Sequence, residues 1–503
     1  MTDMSDASPT DDTTAPIDPM SLDEAQRHGW DREVDVVVVG LGAAGAAAAI
    51  TAAAMGASVL VLERSGDGGG TSAMSGGIIY LGGGTSTQRG AGFDDDPEQM
   101  LGFLADALGR PIDDPRLVAY CRGSVDHHDW LVEHGVPFRA EFWPEPGMEP
   151  PGIEGLVFSG GEDAAPYAEH HVPAPRGHVP ATPNAAGGFL MDRLLDALAM
   201  TSAQVVTHAR ARRLVTDDDG RVRGVEARID ERPQRIRARG GVVLASGGWA
   251  YNESLVDVHV PQVNLVAWKL GTDNDDGWGL RSCLALGAAT DAMGTAEVAL
   301  PITPPRDMVR GVLVNAQGRR FINEDTYFGH VGQAALLEQG GEVYLLLDDP
   351  RYQVNAVGMR AANVCADWDE LTTELGLPEG SLATTMAAYN QAAAQGHDPE
   401  FGKQPEWVVP LDQPPFGAID LRVGATIYAS FPLGGVVTTD DGAVVRADGS
   451  TIDGLFAVGR VGASLALARY CSGISLGEGT FFGRRAGAAA AAGVTAPATD
   501  ATV

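Results

Sequence analysis

The sequence predicts an α/β protein. A parallel, dinucleotide-binding unit is interrupted first by a β-meander and later by an α+β insertion. Three observations predict this: a complete βαβ pattern at Val34–Arg64, a second apolar strand running into glycines at Gly241–Gly248, and a third at Thr451–Arg460. Strands that end in glycine and recur far apart in the chain are expected of a sheet assembled from discontinuous segments.

The first unit reads VDVVVVGLGAAGAAAAITAAAMGASVLVLER. Val36 to Val39 are β-branched and unbroken by polar residues, as a parallel strand buried on both faces requires. Gly40, Gly42 and Gly45 follow in the spacing G-x-G-x-x-G, and an alanine-rich helix leads to a second strand, Ser58 to Leu62. Gly40 allows the tight turn, Gly42 lets backbone approach a pyrophosphate, and Gly45 lets helix and strand pack closely. Ala43 and Ala44 open the helix whose N–H groups face the phosphates, and Glu63 accepts from a ribose. This is a Rossmann-like unit, which by itself admits NAD or FAD.

The chain has 503 residues and a net charge of -32, with 67 acidic and 35 basic side chains. That balance argues against nucleic acid and anionic membranes as partners. The cysteines, Cys121, Cys283, Cys365 and Cys471, form no C-x-x-C pair, which suits a reducing cytoplasm and neither a disulfide framework nor a metal site. No apolar run reaches membrane-spanning length, and no metal is expected. Residues 1–30 are acidic and expected to be disordered, as are residues 495–503. The expected domains are a dinucleotide-binding domain at 31–290, a catalytic or capping domain at 291–430, and a return to the first domain at 431–494.

After Glu63 and Arg64, nine of the residues from Gly66 to Gly84 are glycine, as suits backbone wrapped around a flat or phosphorylated ligand. Gly70, Thr71, Ser72, Ser75, Gly76 and Gly77 lie there. Helices are expected at Pro97–Leu108, Pro115–His134 and Gly188–Met200, separated by an irregular, proline-rich stretch, Pro137–Gly188, that reads as a cover. Its His170, His171 and His178 read as loop histidines. Gln204–Thr216, Arg221–Ile229 and Gln234–Arg239 read as a meander that includes Ala211. Gly241–Ala245 reads as a separate strand ending at Ser246 and Gly247. Asp276 opens a capped helix. Gly459 and Arg460 end the third glycine-bearing strand. Ser475 and Leu476 begin the last helix, where N–H groups can face an anionic ligand atom.

Six blocks in this order carry a family resemblance: GLGAAG with Glu63, GGTSAMSGG, VVLASGG, GRRFINE, GLFAVG and GEGTFFGRRAG. They resemble the flavoproteins of the fumarate reductase, succinate dehydrogenase and 3-ketosteroid dehydrogenase superfamily. The resemblance implies a glutathione-reductase-like FAD-binding domain with a capping domain, and FAD as cofactor. Gly70 stands where succinate dehydrogenases carry the flavin-linking histidine, so FAD is expected to be non-covalent. Two family arginines that hold a dicarboxylate match Phe328, beside Tyr327, and Tyr470. The family's substrate histidine has no match near Ala299–Pro304.

Tyrosines at these places resemble the 3-ketosteroid dehydrogenases. The 1-dehydrogenases carry Tyr-x-Gly-x-Gly, whereas this chain reads Tyr470-Cys471-Ser472-Gly473-Ile474, which is more similar to the 4-dehydrogenases of 5α-steroids. The resemblance implies Tyr470 as donor to a 3-keto oxygen, with Ser472 and Tyr327 taking and relaying the α proton. It leaves open which of the two is the base. A backbone N–H between Gly473 and Gly477 is expected as a second donor. Trp130, Phe138, Phe142 and Trp143 are candidates for an apolar wall, with ordinary packing preferred for Trp130. A 1-dehydrogenase, a reductase of an unsaturated acid and a non-catalytic flavin protein remain the alternatives, and the electron acceptor is unassigned.

Overall fold

The computed structural model describes residues 13–494 apart from 145–149, 185, 304, 355–358 and 360. The expected tail at 495–503 and residues 1–12 of the expected N-terminal tail lie outside the described residues. Residues 13–30 are not the featureless stretch expected from composition. Met20–Ser21 pairs in parallel with the sheet at Val215–Thr216, and Leu22–His28 forms a helix. Ser21 caps that helix by accepting from the Glu24 N–H, and Met20 and Ala25 are buried against Val215.

The first βαβ unit is β1 (Arg32–Val39), α1 (Ala43–Ala54) and β2 (Val59–Leu62). Val36 to Val39 are buried, as their unbroken apolar run requires. β3 (Gln204–Val206) pairs in parallel with β2. The chain kinks at His208, which takes a left-handed φ of 52°, and crosses the sheet without reversing; β4 (Ala209–Thr216) then runs antiparallel to β5 (Val222–Ile229). The stretch read as one meander strand is therefore two, one in each half of the sheet.

The opposite correction applies next. The third meander strand and the strand expected at Gly241–Ala245 are one element, β6 (Arg232–Leu244). Its first half pairs antiparallel with β5, and its second half runs parallel to β1. The parallel pairing with β1 begins at Ile236, and a register shift between Ala238 and Gly241 interrupts it. The Gly240–Gly241 pair reads as a break in the sequence but serves as a bulge: a Cβ at Gly240 would stand 2.1 Å from the Ala490 carbonyl oxygen.

The second insertion builds two sheets from β7 (Ala296–Ala299), β8 (Val312–Asn315), α2 (Phe328–Gln333), β9 (Val343–Asp348), β10 (Ala361–Cys365), α3 (Trp368–Glu374), α4 (Ser381–Ala393), β11 (Phe416–Asp420) and β12 (Ala429–Pro432). An antiparallel sheet in the order β8–β9–β11–β10 buries one face with Leu371, Leu382, Met386 and Tyr389 of α3 and α4. A smaller sheet sets β12 between β7 and the short strand Trp268–Lys269. The chain returns through β13 (Thr451–Ala457), which pairs in parallel with β6, and ends in α5 (Ile474–Ala492). The parallel core thus runs β13–β6–β1–β2–β3.

α1 is buried almost all round because it lies between the sheet and α5. Small residues make this contact: a Cβ at Gly483 would stand 2.5 Å from the Ala44 carbonyl oxygen, and one at Gly487 would stand 2.2 Å from that of Ala48. The stretch expected as an irregular cover, Pro137–Gly188, contributes three strands of two residues, Phe142–Trp143, Leu156–Val157 and Gly177–His178. They form a four-stranded sheet with Ile79–Tyr80. Among the described residues no helix is long and apolar enough to cross a membrane.

Candidate active site

One cavity of about 580 Å³ passes between the C-terminal ends of the parallel strands and the β7–β12 sheet. It begins at the turn after β1. Gly40 adopts a φ of 100°, and a Cβ there would meet the Ala245 carbonyl oxygen at 2.4 Å, so only glycine lets β1 and β6 end side by side. Gly45 is the one residue of the sequence-read cofactor set that does not line the cavity. Its Cβ would stand 2.1 Å from the Gly40 carbonyl oxygen, so it sets the approach of α1 to the turn.

The other cofactor candidates surround the same space. Gly42, Ala43 and Ala44 present the N-terminus of α1, and Gly70 to Ser72 and Ser75 to Gly77 form the facing wall. The Ser72 hydroxyl accepts from the Ala43 N–H at 3.2 Å, which fixes the glycine-rich loop to the helix start. Glu63 accepts from the N–H groups of Leu41 at 2.8 Å and Ser65 at 2.7 Å. Its carboxylate is held at the end of β2, with lone pairs left for a further donor. Arg64 and Arg210 both reach Asp276, at 2.9 and 3.5 Å. Ala211, Ala245, Ser246, Gly247, Gly459, Arg460, Ser475 and Leu476 complete the lining.

Asp275 was not singled out from the sequence, yet it is the hinge of this wall. It accepts from Arg460 at 2.5 Å, from the Thr71 hydroxyl at 3.2 Å and from the Gly248 N–H at 3.0 Å. The sequence signal is only the one adjoining acidic pair in TDNDDG, with nothing to separate Asp275 from Asp276.

Tyr327, Tyr470 and Ser472 come together at the far end of the cavity. Tyr470 precedes α5, and its phenol oxygen accepts from the Ser475 N–H at 3.3 Å. An N–H expected to face a ligand directly is thus turned onto the tyrosine. The Tyr470 backbone N–H donates to Gln333 of α2 at 2.9 Å, and its ring meets Phe431 edge-on at 5.8 Å. Burial pushes the Tyr470 hydroxyl well above its ordinary range, so it stays protonated. Ser472 is clamped by Ser159, which accepts the Ser472 N–H through its carbonyl at 2.8 Å and donates its hydroxyl to the Ser472 carbonyl at 2.9 Å. Tyr327 sits at the N-terminus of α2, and its hydroxyl donates to Glu297 at 3.5 Å.

The apolar wall differs from the expected one. Trp130, Phe138, Phe142 and Trp143 do not line the cavity. Trp130 stacks on His134 at 4.1 Å, and Phe142 packs edge-on against Phe93. Trp268, Phe328, Ile427 and Phe431 take their place. None of the described residues of Pro137–Gly188 lines the cavity; Ser159 supports it from behind. His178, by contrast with a loop histidine, is buried with Nε2 2.8 Å from the Thr85 hydroxyl.

The FAD binding domain family matches residues 35–476. The chain belongs to this family. The flavoprotein is 28% identical to the 3-oxo-5-alpha-steroid 4-dehydrogenase of Comamonas testosteroni over 88% of its own length and 95% of that protein. It is 30% identical to the 4-oxocyclohexanecarboxylate 2-dehydrogenase of Sinomonas cyclohexanicum, over 90% and 92%. Its structure is similar to that of the 3-ketosteroid-delta4-(5alpha)-dehydrogenase from Rhodococcus jostii RHA1 in complex with 4-androstene-3,17-dione. That likeness has a TM-score of 0.89 and 42% identity, over 94% of this chain and all of the other.

The residues present fit FAD. The flavoprotein offers an uncapped helix N-terminus at Gly42, a carboxylate anchored at the end of β2, and a buried Arg460 Nη1 that lacks a protein acceptor. Gly70 has no side chain to bond the cofactor covalently.

Proposed function

We propose that the flavoprotein desaturates 3-ketosteroids of the 5α series between C4 and C5. One observation carries this reading: the end of the cavity beyond the dinucleotide cradle is built of phenols, a hydroxyl, one carboxyl and hydrocarbon, with no cation among the described residues. Among the described lining residues the cations are Arg64, Arg210 and Arg460, and each is paired with Asp275 or Asp276. A dicarboxylate bound beside Tyr470 would meet no cation and would face Glu297. A neutral, mostly apolar ketone suits the same walls. The likeness to two steroid 4-dehydrogenases supports the regiochemistry.

FAD, held by the α1 N-terminus, Glu63, the Gly70–Gly77 loop and Arg460, supplies the hydride acceptor. The protein's part is to polarise the ketone and to remove the α proton. Tyr470 has its oxygen lone pair engaged by the Ser475 N–H, which frees its proton to donate to the 3-keto oxygen. One preorganised donor of this kind contributes about 3 kcal/mol to the barrier. Ser472 and Tyr327 stand on the proton-removing side. A serine hydroxyl needs an activating partner to serve as a base, and Tyr327 is that partner. The free, buried cysteines suit the reducing cytoplasm as the enzyme's compartment.

Anaerobic titration with 5α-androstane-3,17-dione tests the reading. Bleaching of the flavin and a product with a 4,5 double bond by mass and NMR analysis are expected. A 1,2 double bond would reassign the enzyme as a 1-dehydrogenase. Failure to bleach, with reoxidation of reduced flavin by unsaturated acids, would replace the reading with a reductase.

A further inference from the structure

Glu297 lies on β7, in the cavity wall, and no sequence motif marks it. Its side chain is buried and, among the described residues, has no basic partner. One oxygen, Oε1, receives the Tyr327 hydroxyl at 3.5 Å; the other, Oε2, is buried and makes no hydrogen bond to any described residue. A contact of that length is common for catalytic groups before a ligand tightens the site. The backbone is held firmly: Glu297 pairs with Phe431 of β12, and its carbonyl accepts from the Ser430 hydroxyl at 2.5 Å. Nothing in the fold requires a carboxyl here. A buried, unpaired carboxyl is costly to retain unless it has a use.

We propose that Glu297 is the terminal proton acceptor of the desaturation, working through the Tyr327 hydroxyl. This rests on the reading of the site as a ketosteroid dehydrogenase. The C4–H bond breaks and its electron pair forms the enolate double bond held by Tyr470. The proton passes to the Ser472–Tyr327 hydroxyl pair, and Tyr327 gives its own proton to Glu297, which becomes a neutral carboxyl. The hydride leaves C5 with its electron pair for FAD, the oxidant. Two hydrogens are thus removed, one as a proton and one as a hydride, and Glu297 returns its proton to water after product departs.

The groups facing Glu297 are few. α2 presents Tyr327; His330 lies behind it against Thr326 and the Tyr327 ring, and its imidazole, driven down to about 3 by burial, is neutral. The segment before α5 presents Tyr470 and Cys471, both held protonated by burial. β12 presents Phe431 across the strand pair, while the Ser430 hydroxyl is taken by the Glu297 backbone carbonyl. None supplies a positive charge, and burial pushes the Glu297 carboxyl up to about 8. A base so tuned is poised near working pH, where general-base catalysis is most effective.

The test is stopped-flow reduction of the flavin by 5α-androstane-3,17-dione between pH 6 and 10, with an infrared titration of the same samples without steroid. In the wild type the rate should climb with pH and level off above about 8, as the carboxyl ionises. The infrared band of a neutral carboxyl should vanish over the same range. Glu297→Gln should keep its flavin but reduce it about 100-fold more slowly, as expected for a lost general base, with a flat pH profile. That variant should also lack the infrared band. Glu297→Asp should retain a carboxyl limb at a shifted pH, and it decides the matter should the glutamine variant lose FAD. Wild-type-like rates and an unchanged limb in Glu297→Gln, or an unmoved limb in Glu297→Asp, would overturn the relay while leaving the dehydrogenase reading intact. Absence of bleaching by wild type would overturn both.

Discussion

The phenol oxygen of Tyr470 accepts from the first turn of α5, which leaves its proton available to a ligand oxygen. Phenylalanine keeps the ring against Phe431 and removes only this relay. Tyr470→Phe should therefore retain flavin and lower the rate of flavin reduction roughly 100- to 1,000-fold, the loss seen when one oxyanion donor is removed. Ser472→Ala should do likewise, measured in the same single-turnover experiment. Glu297 predicts a stability effect of definite sign. Its folded pKa of about 8 lies above the ordinary 4.5, so the neutral form stabilises the fold fully below pH 4.5. That stability is lost as pH rises through about 8. Glu297→Gln should raise the melting temperature more at pH 9 than at pH 5; an equal shift at both would refute the assignment. Glu297 could not be found in the sequence, because AEVA carries no pattern beyond a short strand. Its character comes from burial and from Tyr327, thirty residues away. Tyr470 and Ser472 stand out in the sequence only because they replace residues of recognisable blocks, and Tyr327 only because it adjoins another such position, Phe328.

At the scale of elements, the fold was readable where local chemistry and long-range pairing agree. The valines of β1, the glycines of the turn and the alanines of α1 all predict one structure, and that structure forms. Reading failed where an element serves two partners. β6 changes from antiparallel to parallel pairing along its length, and its Gly240–Gly241 bulge looks like an end in the sequence. Strands of two residues, such as Phe142–Trp143, have no periodicity to read. The close approach of α1 and α5 yields its own prediction. Gly483→Val would place methyl groups into the Ala44 carbonyl, a clash of the overpacking kind that costs about 1–3 kcal/mol or more. Because Ala44 also lines the cofactor cavity, the variant should show both a lower melting temperature and a lower flavin content, read from the visible spectrum.

For the molecule as a whole, a net charge of -32 opposes compaction. Raising monovalent salt from about 10 mM to 150 mM, which shortens the screening length from about 30 Å to 8 Å, should raise the melting temperature. A fall would show that paired charges such as Arg176–Asp95 outweigh the repulsion. The site itself is a whole-molecule property: Gly40 and Leu476 line one cavity, so no fragment of the chain contains it. A chain ending at Gly473 should accordingly purify without flavin, if it remains in solution at all.

The contact between α1 and α5 also sets a clock on synthesis. The βαβ unit leaves the ribosome once residue 64 has emerged, but the helix that covers α1 begins only at Ile474. At roughly 5–20 residues per second, the alanine face of α1 waits uncovered for tens of seconds. The nascent chain must carry that exposed apolar surface until α5 has been made.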